Sequence, residues 1–254
     1  MQNLSFFDRL ILWVKRAESP LPRALKKTLQ FIVQPTVFRL PRLLAGPLRA
    51  AYEFHYIVIS VCRTVVTLLY WAPLFQARCA SIGRNVRLDG HMPYVDGHVQ
   101  IHVGDGVVFG GNVSIASGRM LDEPRLIIGD RVGIGWGTRI TVSREVIIED
   151  DVWLPYDCSI SDTDGHPRQA DRRIAKLPPD PEDIRPVRIC KKAWIGNGAH
   201  IMKGVTIGEG AIIGAGSVVI SNIPPYALAM GNPAEVILKN FGLPSTAKGK
   251  TPVE

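Results

Sequence analysis

The chain has 254 residues, of which 46% are hydrophobic and 21% are charged, with 24 glycines and 19 prolines. It is long enough to bury one core or two, and the glycines and prolines indicate many turns. The four cysteines are widely spaced and form no CxxC pair, which argues against a disulfide framework or a cysteine-based zinc site and favours a reducing cytosol.

Residues 1–80 carry the positive charge of the protein. They hold 11 Lys or Arg and 3 Asp or Glu, a balance of +8, whereas residues 81–254 hold 19 and 20, a balance of −1. No nucleic-acid recognition motif accompanies this charge, so an anionic membrane surface is the favoured partner and nucleic acid is not expected. No secretory signal pattern is present. We expect a basic, apolar helical segment over residues 1–80, with Leu4, Phe7, Ile11 and Val14 on one helix face.

Residues 54–75 are apolar and have Arg63 as their only formal charge. The segment is long enough to cross a bilayer, but a central arginine costs about 2.5–3.5 kcal/mol there. A helix lying at the membrane surface tolerates the arginine better. Alternatively, the segment contacts no membrane and forms a helical cap on the following domain.

A six-residue repeat runs through the second half of the chain. Large aliphatic residues anchor it at Ile189, Ile195, Ile201, Ile207, Ile213 and Val219. Small residues stand four positions after the first five anchors, at Ala193, Ala199, Val205, Ala211 and Ser217. An α-helix needs a period near 3.6 and a sandwich strand a period of 2, so the pattern fits neither. One aliphatic side chain per short strand and one small residue per corner instead predict a β-helix.

The same register recurs upstream in three triplets and one partial coil. The triplets are Val103, Phe109, Ile115; Ile128, Ile134, Ile140; and Ile148, Leu154, Ile160, and the partial coil runs from Ile82 to Leu88. We therefore predict an all-β solenoid, a parallel β-helix, over residues 81–231.

The repeat is interrupted between Ile160 and Ile189 by a segment rich in Pro, Arg and Asp. This segment opens with Ser-Asp-Thr-Asp-Gly-His-Pro at residues 161–167. We expect a loop extruded from a corner over residues 165–188, and its length favours a functional role.

Residues 232–254 are expected to form a short capping helix and a mobile tail. Asn232 has the properties of an N-cap, Pro233 those of a first-turn residue, and Gly242 those of a helix end. Such a helix would cover the strand edges of the last coil.

With its Ile-Gly hexads, its Asp-Gly-His-Pro loop and its Ala-Trp-Ile-Gly-Asn-Gly turn at 193–198, the chain resembles the hexapeptide-repeat acyltransferases. This family contains galactoside, maltose and serine acetyltransferases and polysaccharide O-acetyltransferases, and the resemblance covers about residues 81–240. It implies a left-handed β-helix and a homotrimer with active sites between subunits. It also implies transfer of an acetyl or similar small acyl group from acetyl-CoA to a hydroxyl, for which we expect a saccharide acceptor from surface polysaccharide or glycoconjugate biosynthesis. No metal is expected.

The resemblance places the catalytic base at His166, where this family has a Gly-His-Pro or Asp-x-His-Pro motif. An imidazole of near-neutral pKa suits removal of a hydroxyl proton, and a carboxylate can fix its tautomer. Asp164 and Asp162 are the candidates, and strand alternation would put both on one face, so both stay open.

The residues that match the CoA tunnel of this family are Trp194, Asn197 and Ala215, beside Gly216. Galactoside-type relatives have a lysine before the Ile-Pro-Pro turn that meets the CoA phosphates, but this chain has Ser221 there. The phosphate contact then falls to Lys239, to Lys203 or to neither.

A non-catalytic β-helix scaffold is the alternative function. A γ-type carbonic anhydrase would need three converging histidines, and only His166 and His200 occupy suitable flanks. The expected location is cytoplasmic, peripheral or monotopic on the inner face of the cytoplasmic membrane.

Overall fold

The structure, a computed structural model, describes residues 41–118, 121 and 123–243. The predicted helix face at Leu4 to Val14 and the tail 244–254 lie outside these residues. The chain divides into two units, residues 1–58 and 59–254. The solenoid and all sites described below belong to the second unit.

Helical structure precedes the solenoid. Helix α1 (Arg42–Val66), a π-helical turn (Thr67–Trp71) and helix α2 (Ala72–Arg78) follow one another without a break. By length and composition, the helix Arg42–Arg78 has the properties of a membrane-crossing helix, with a mean hydropathy of 1.7 in a window of which none is buried. The predicted α-helical N-terminal segment is confirmed over its described part.

The solenoid is a left-handed parallel β-helix of about six turns. Its strands are β1 (Ser81–Ile82), β2 (Arg87–Asp89), β3 (Tyr94–Asp96), β4 (Gln100–Val103), β5 (Val108–Gly110), β6 (Ser114–Ser117), β7 (Arg125–Ile128), β8 (Gly133–Ile134), β9 (Arg139–Val142), β10 (Glu145–Ile148), β11 (Trp153–Leu154), β12 (Ser159–Ser161), β13 (Val187–Ile189), β14 (Trp194–Ile195), β15 (His200–Ile201), β16 (Thr206–Ile207), β17 (Ile212–Ile213), β18 (Val218–Val219), β19 (Leu228–Gly231) and β20 (Ala234–Leu238). They form three sheets: sheet A in the order β1-β4-β7-β10-β13-β16, sheet B in the order β2-β5-β8-β11-β14-β17-β19-β20, and sheet C in the order β18-β15-β12-β9-β6-β3.

The predicted anchors stack inside the solenoid. On sheet A, Ile128 pairs with Ile148, Ile148 with Ile189, and Ile189 with Ile207. All the anchors of the complete triplets and of the 189–219 run are buried, as are the small corner residues. The six-residue register therefore builds one continuous apolar core along the axis.

Helix α2 closes the N-terminal end of this core. Phe75 is 1% exposed, and its ring meets that of Phe109 edge-on, with 5.1 Å between centroids. Arg78 ties the end of the helix to the second coil, since its guanidinium donates to the carbonyl oxygens of Val99 at 3.0 Å and Gly97 at 2.9 Å.

The predicted C-terminal capping helix is wrong. Residues 234–238 form β20, which pairs antiparallel with β19 after a turn at Asn232–Pro233. A helix would have left the outer edge of β19 unpaired, whereas the hairpin satisfies its backbone groups and suits the β-branched Val236 and Ile237. The hairpin thus ends sheet B, so the edge is covered by a strand and not by a helix.

Candidate functional site

The interruption of the repeat forms a folded loop between β12 and β13. The loop occupies residues 162–186 and contains the short helix α3 (Ala170–Ile174) and a 3₁₀ turn (Pro181–Asp183). The loop begins three residues earlier than the predicted range, 165–188, because β12 ends at Ser161. It also ends two residues earlier, because the buried Val187 already fills the core as part of β13.

The loop is fastened to the solenoid at its far end. Ile184 is fully buried, and the Arg144 guanidinium donates to the carbonyl oxygen of Pro181 at 2.9 Å. Arg168 forms a salt bridge of 2.7 Å with Asp183 across the loop. These contacts hold the loop against the solenoid and link the segment next to His166 to the end of the loop.

His166 is exposed in the first part of the loop, between Gly165 and the buried Pro167. Gly165 has a φ of +75° and donates its N–H to the Thr163 hydroxyl at 3.1 Å. The chain therefore turns at Gly165, and the His166 side chain is accessible to solvent.

Asp164 is paired with Lys203. The Lys203 ammonium donates to the Asp164 carboxylate, and their side chains are 8% and 42% exposed. Lys203 lies on the corner after β15, in the coil that follows the loop. The ion pair joins the loop to that coil two residues away from His166.

Asp162, in contrast to Asp164, binds backbone N–H groups. Its carboxylate is fully buried and accepts the backbone N–H groups of Ser143 at 2.7 Å, Arg144 at 2.6 Å and Glu145 at 2.8 Å. Burial raises the pKa of Asp162, and these N–H donors oppose that rise because they favour the carboxylate. The network assigns Asp162 to the turn before β10 rather than to His166.

The two carboxylates do not share a face because β12 ends at Ser161. The strand alternation on which the sequence prediction depended stops before either aspartate. Among the described residues, His166 has no hydrogen bond to a carboxylate of its own chain.

The residues predicted to bind the acyl donor lie on and beside the corner between sheets B and C. Trp194 is 53% exposed on the outer face of sheet B, in register with the exposed Trp153 of the preceding coil. Asn197 and Gly216 meet on the corner, where the Gly216 N–H donates to the Asn197 carbonyl oxygen at 2.8 Å. Ala215 is exposed next to them.

Open space lies beside this corner. A Cβ atom added at Gly198 or at Gly216 would have no atom within 4 Å, and both glycines have a positive φ, +67° and +68°. The backbone of two successive coils is therefore accessible to a ligand that lies along the solenoid axis.

Ser221 and Lys239 lie apart from that corner. Ser221 is exposed between sheets C and A, one coil beyond Lys203, because Ile201 pairs with Val219. Lys239 is exposed directly after β20. Of the two lysines considered for a phosphate contact, Lys203 is paired with Asp164. Lys239 forms no ion pair with any of the described residues.

The remaining histidines make structural contacts or face solvent. The His98 ring lies 2.8 Å from the Leu121 carbonyl oxygen, and the His102 ring lies 2.9 Å from the Ser81 hydroxyl. His200 is exposed on sheet C. Within the described ranges no group of three His, Cys, Asp or Glu side chains is arranged to hold a metal ion.

The Lys203–Asp164 pair was not foreseen. Sequence reasoning considered Lys203 only as a phosphate ligand. The available signal was a lysine at a corner position of the first coil after a loop rich in aspartate, where the next coil has Ser221.

The repeat region matches a known family. Residues 186–221 match the family model described as bacterial transferase hexapeptide (six repeats). The predicted resemblance to the hexapeptide-repeat acyltransferases is confirmed.

Two curated relatives are named as acetyltransferases. A protein of Saccharomyces cerevisiae, named as a presumed acetyltransferase, is 40% identical over 114 residues, which is 45% of this chain and 56% of that protein. A probable acetyltransferase of Mycobacterium tuberculosis is 34% identical over 140 residues, which is 54% of this chain and 44% of that protein. The chain thus spans about half the length of these relatives.

Among solved structures, a variant of AntD, an N-acyltransferase from Bacillus cereus in complex with dTDP-4-amino-4,6-dideoxyglucose and coenzyme A, has the same fold. The match has a TM-score of 0.50 and 18% identity, and it covers 65% of this chain and 87% of that chain.

Proposed function

We propose that this protein is a CoA-dependent O-acetyltransferase that moves an acetyl or similar small acyl group from acetyl-CoA to a hydroxyl of a saccharide acceptor. The observation that carries the proposal is the folded loop at residues 162–186, which breaks the repeat, is held to the solenoid and exposes His166. The names of the two curated relatives support the acetyl group. Surface polysaccharide or glycoconjugate biosynthesis is the process that this chemistry would serve.

His166 acts as general base in this proposal. It takes the proton of the acceptor hydroxyl as the oxygen attacks the thioester carbonyl, and backbone N–H groups stabilise the oxyanion. This attack forms the C–O bond of a tetrahedral intermediate. Its collapse restores the carbonyl group and breaks the C–S bond, and the proton passes from His166 to the departing thiolate. No acyl-enzyme is formed.

The donor lies along the corner between sheets B and C. The exposed backbone at Gly198 and Gly216 accommodates the pantetheine arm, and Trp194 gives it an apolar wall. Asn197 and Ala215 line the same stretch. Ser221 and Lys239 are the proposed contacts for the phosphates.

A homotrimer would complete the site. The predicted donor residues lie on one corner of the solenoid, while His166 and Ser221 lie towards another, with sheet C between them. Association of copies brings the donor corner of one chain to the base of its neighbour. Membrane association through residues 1–80, on the cytoplasmic face, would place this trimer beside an acceptor made at the membrane.

The test is His166→Ala, assayed for thiol release with saturating acetyl-CoA against sugars, nucleotide sugars and lipid-linked saccharides. Turnover should fall on the order of 10²–10⁴-fold. His91→Ala is the matched control, because His91 is exposed in the first coil of the solenoid, beside Trp71 and several coils away from His166. Turnover of His166→Ala like that of the parent would exclude the base, and no thiol release by the parent with any acceptor would favour a scaffold.

A further inference from the structure

A cleft, separate from the proposed donor and base sites, lies at the junction of the N-terminal helix and the first coil. Its helical wall includes Arg63, Thr67 and Leu68, and its solenoid wall includes Arg87, Asp89 and Trp136. None of these residues belongs to the proposed donor or base sites.

Two arginines give the cleft a positive charge. Arg63 and Arg87 face one acidic residue, Asp89, and both arginines are exposed. Among the residues that the structure describes, neither guanidinium lies within salt-bridge distance of a carboxylate. Planar guanidinium groups match phosphate oxygens in geometry and charge.

The Trp136 ring packs against two glycines, Gly90 and Gly111, of the two preceding coils. A Cβ atom at Gly111 would lie 2.6 Å from the Trp136 ring, and one at Gly90 would lie 3.1 Å from it. Gly111 has no positive φ, so its missing side chain makes room for the indole rather than for a backbone turn. The indole remains 42% exposed towards the cleft.

The helix beside the cleft is apolar on its exposed surface. Leu69 is 76% exposed, Tyr70 60% and Val65 48%. Exposed leucine and valine prefer the acyl region of a bilayer, while indole and tyrosine rings prefer the headgroup level. The cleft therefore joins an apolar surface to an aromatic ring and two cations.

We infer that this cleft binds the phosphate headgroup of an anionic glycerophospholipid and holds the first coil against the bilayer surface. Arg63 and Arg87 pair with the phosphate, and Trp136 packs on the glycerol region. The same contact places residues 63–72 at the interface, because the charged β2 strand beside them has no place in a hydrocarbon core. The inference rests on membrane association, but not on acetyl transfer.

The experiment is native mass spectrometry of the full chain, released from non-ionic detergent in the presence of equimolar phosphatidylglycerol and phosphatidylcholine. The parent protein, without substitutions, should retain phosphatidylglycerol in preference to phosphatidylcholine. The double variant R63Q/R87Q should bind it roughly 30-fold more weakly, since each arginine near a headgroup contributes about fivefold. R139Q is the control, because Arg139 is an exposed arginine on sheet C.

Equal retention of the two lipids, or equal retention by R63Q/R87Q and the parent, would overturn the inference. Displacement of the lipid by inorganic phosphate at the same concentration would also overturn it, because a free-anion site needs no acyl chain. Thiol release with a soluble acceptor, measured on the same variants, separates this result from the transferase proposal. Lipid binding without transfer would contradict only the latter, and R63Q/R87Q should keep the parent turnover.

Discussion

At the scale of single residues, the two aspartates of the His166 loop have separate roles. Asp162→Ala should lower the free energy of unfolding by about 3 kcal/mol, because three backbone N–H groups lose the buried carboxylate that accepts from them. Asp164→Ala should cost less stability, because this carboxylate is partly exposed, but it should lower turnover by releasing the loop from Lys203. Urea denaturation and steady-state kinetics with saturating acetyl-CoA measure the two effects.

Lys203→Arg is the control for the second aspartate. An arginine can keep the ion pair with Asp164, so this variant should retain more turnover than Lys203→Met. If both aspartate variants lost stability to the same extent and kept the parent turnover, the division of roles would be wrong.

The position of His166 could be predicted from sequence because a break in a strict repeat is visible without structure. The contacts around the histidine could not be predicted from sequence. Lys203 reaches Asp164 from the following coil, and Asp162 turns inward to Ser143–Glu145, so both contacts depend on how the loop folds back. Alternation was a poor guide here because the strand ends before the aspartates.

At the scale of elements, helix α2 stabilises the open end of the solenoid through Phe75. Phe75→Ala should lower the free energy of unfolding by about 3–5 kcal/mol, the usual cost of removing a buried aromatic ring. Leu74→Ala, one residue earlier and 44% exposed, is the matched control and should change stability little. Equal effects of both substitutions in a urea titration would show that the helix does not cap the core.

The solenoid was predictable because the same physical demand, one aliphatic side chain per strand, recurs in every coil. The ends of the solenoid were not predictable in this way, because each end is capped by an arrangement that occurs once and leaves no repeat in the sequence. Asn232 and Pro233 have the properties of a helix start, yet the unpaired edge of β19 determined the outcome. That edge exists only once β19 has paired with β17 in sheet B, so the residues around Asn232 carry no local signature of it.

At the scale of the whole molecule, the basic and apolar first third should direct the protein to membranes. After cell fractionation, the full chain should be recovered with membranes and released by detergent but not by high salt. A shortened chain that begins at Trp71 keeps α2 and Phe75 and should be soluble. Recovery of the full chain in the soluble fraction without detergent would exclude the membrane proposal.

The folded loop between β12 and β13 leaves the stacking of the coils intact, since Val146, Ile147 and Ile148 of β10 pair in register with Val187, Arg188 and Ile189 of β13. Each coil of a solenoid contacts only its neighbours, so an insertion at a corner does not propagate along the axis. Evolution can therefore lengthen, shorten or rewrite this segment without rebuilding the scaffold. Under the proposed function, a change of acceptor preference would need only local substitutions, while the coils proposed to hold the donor stay the same.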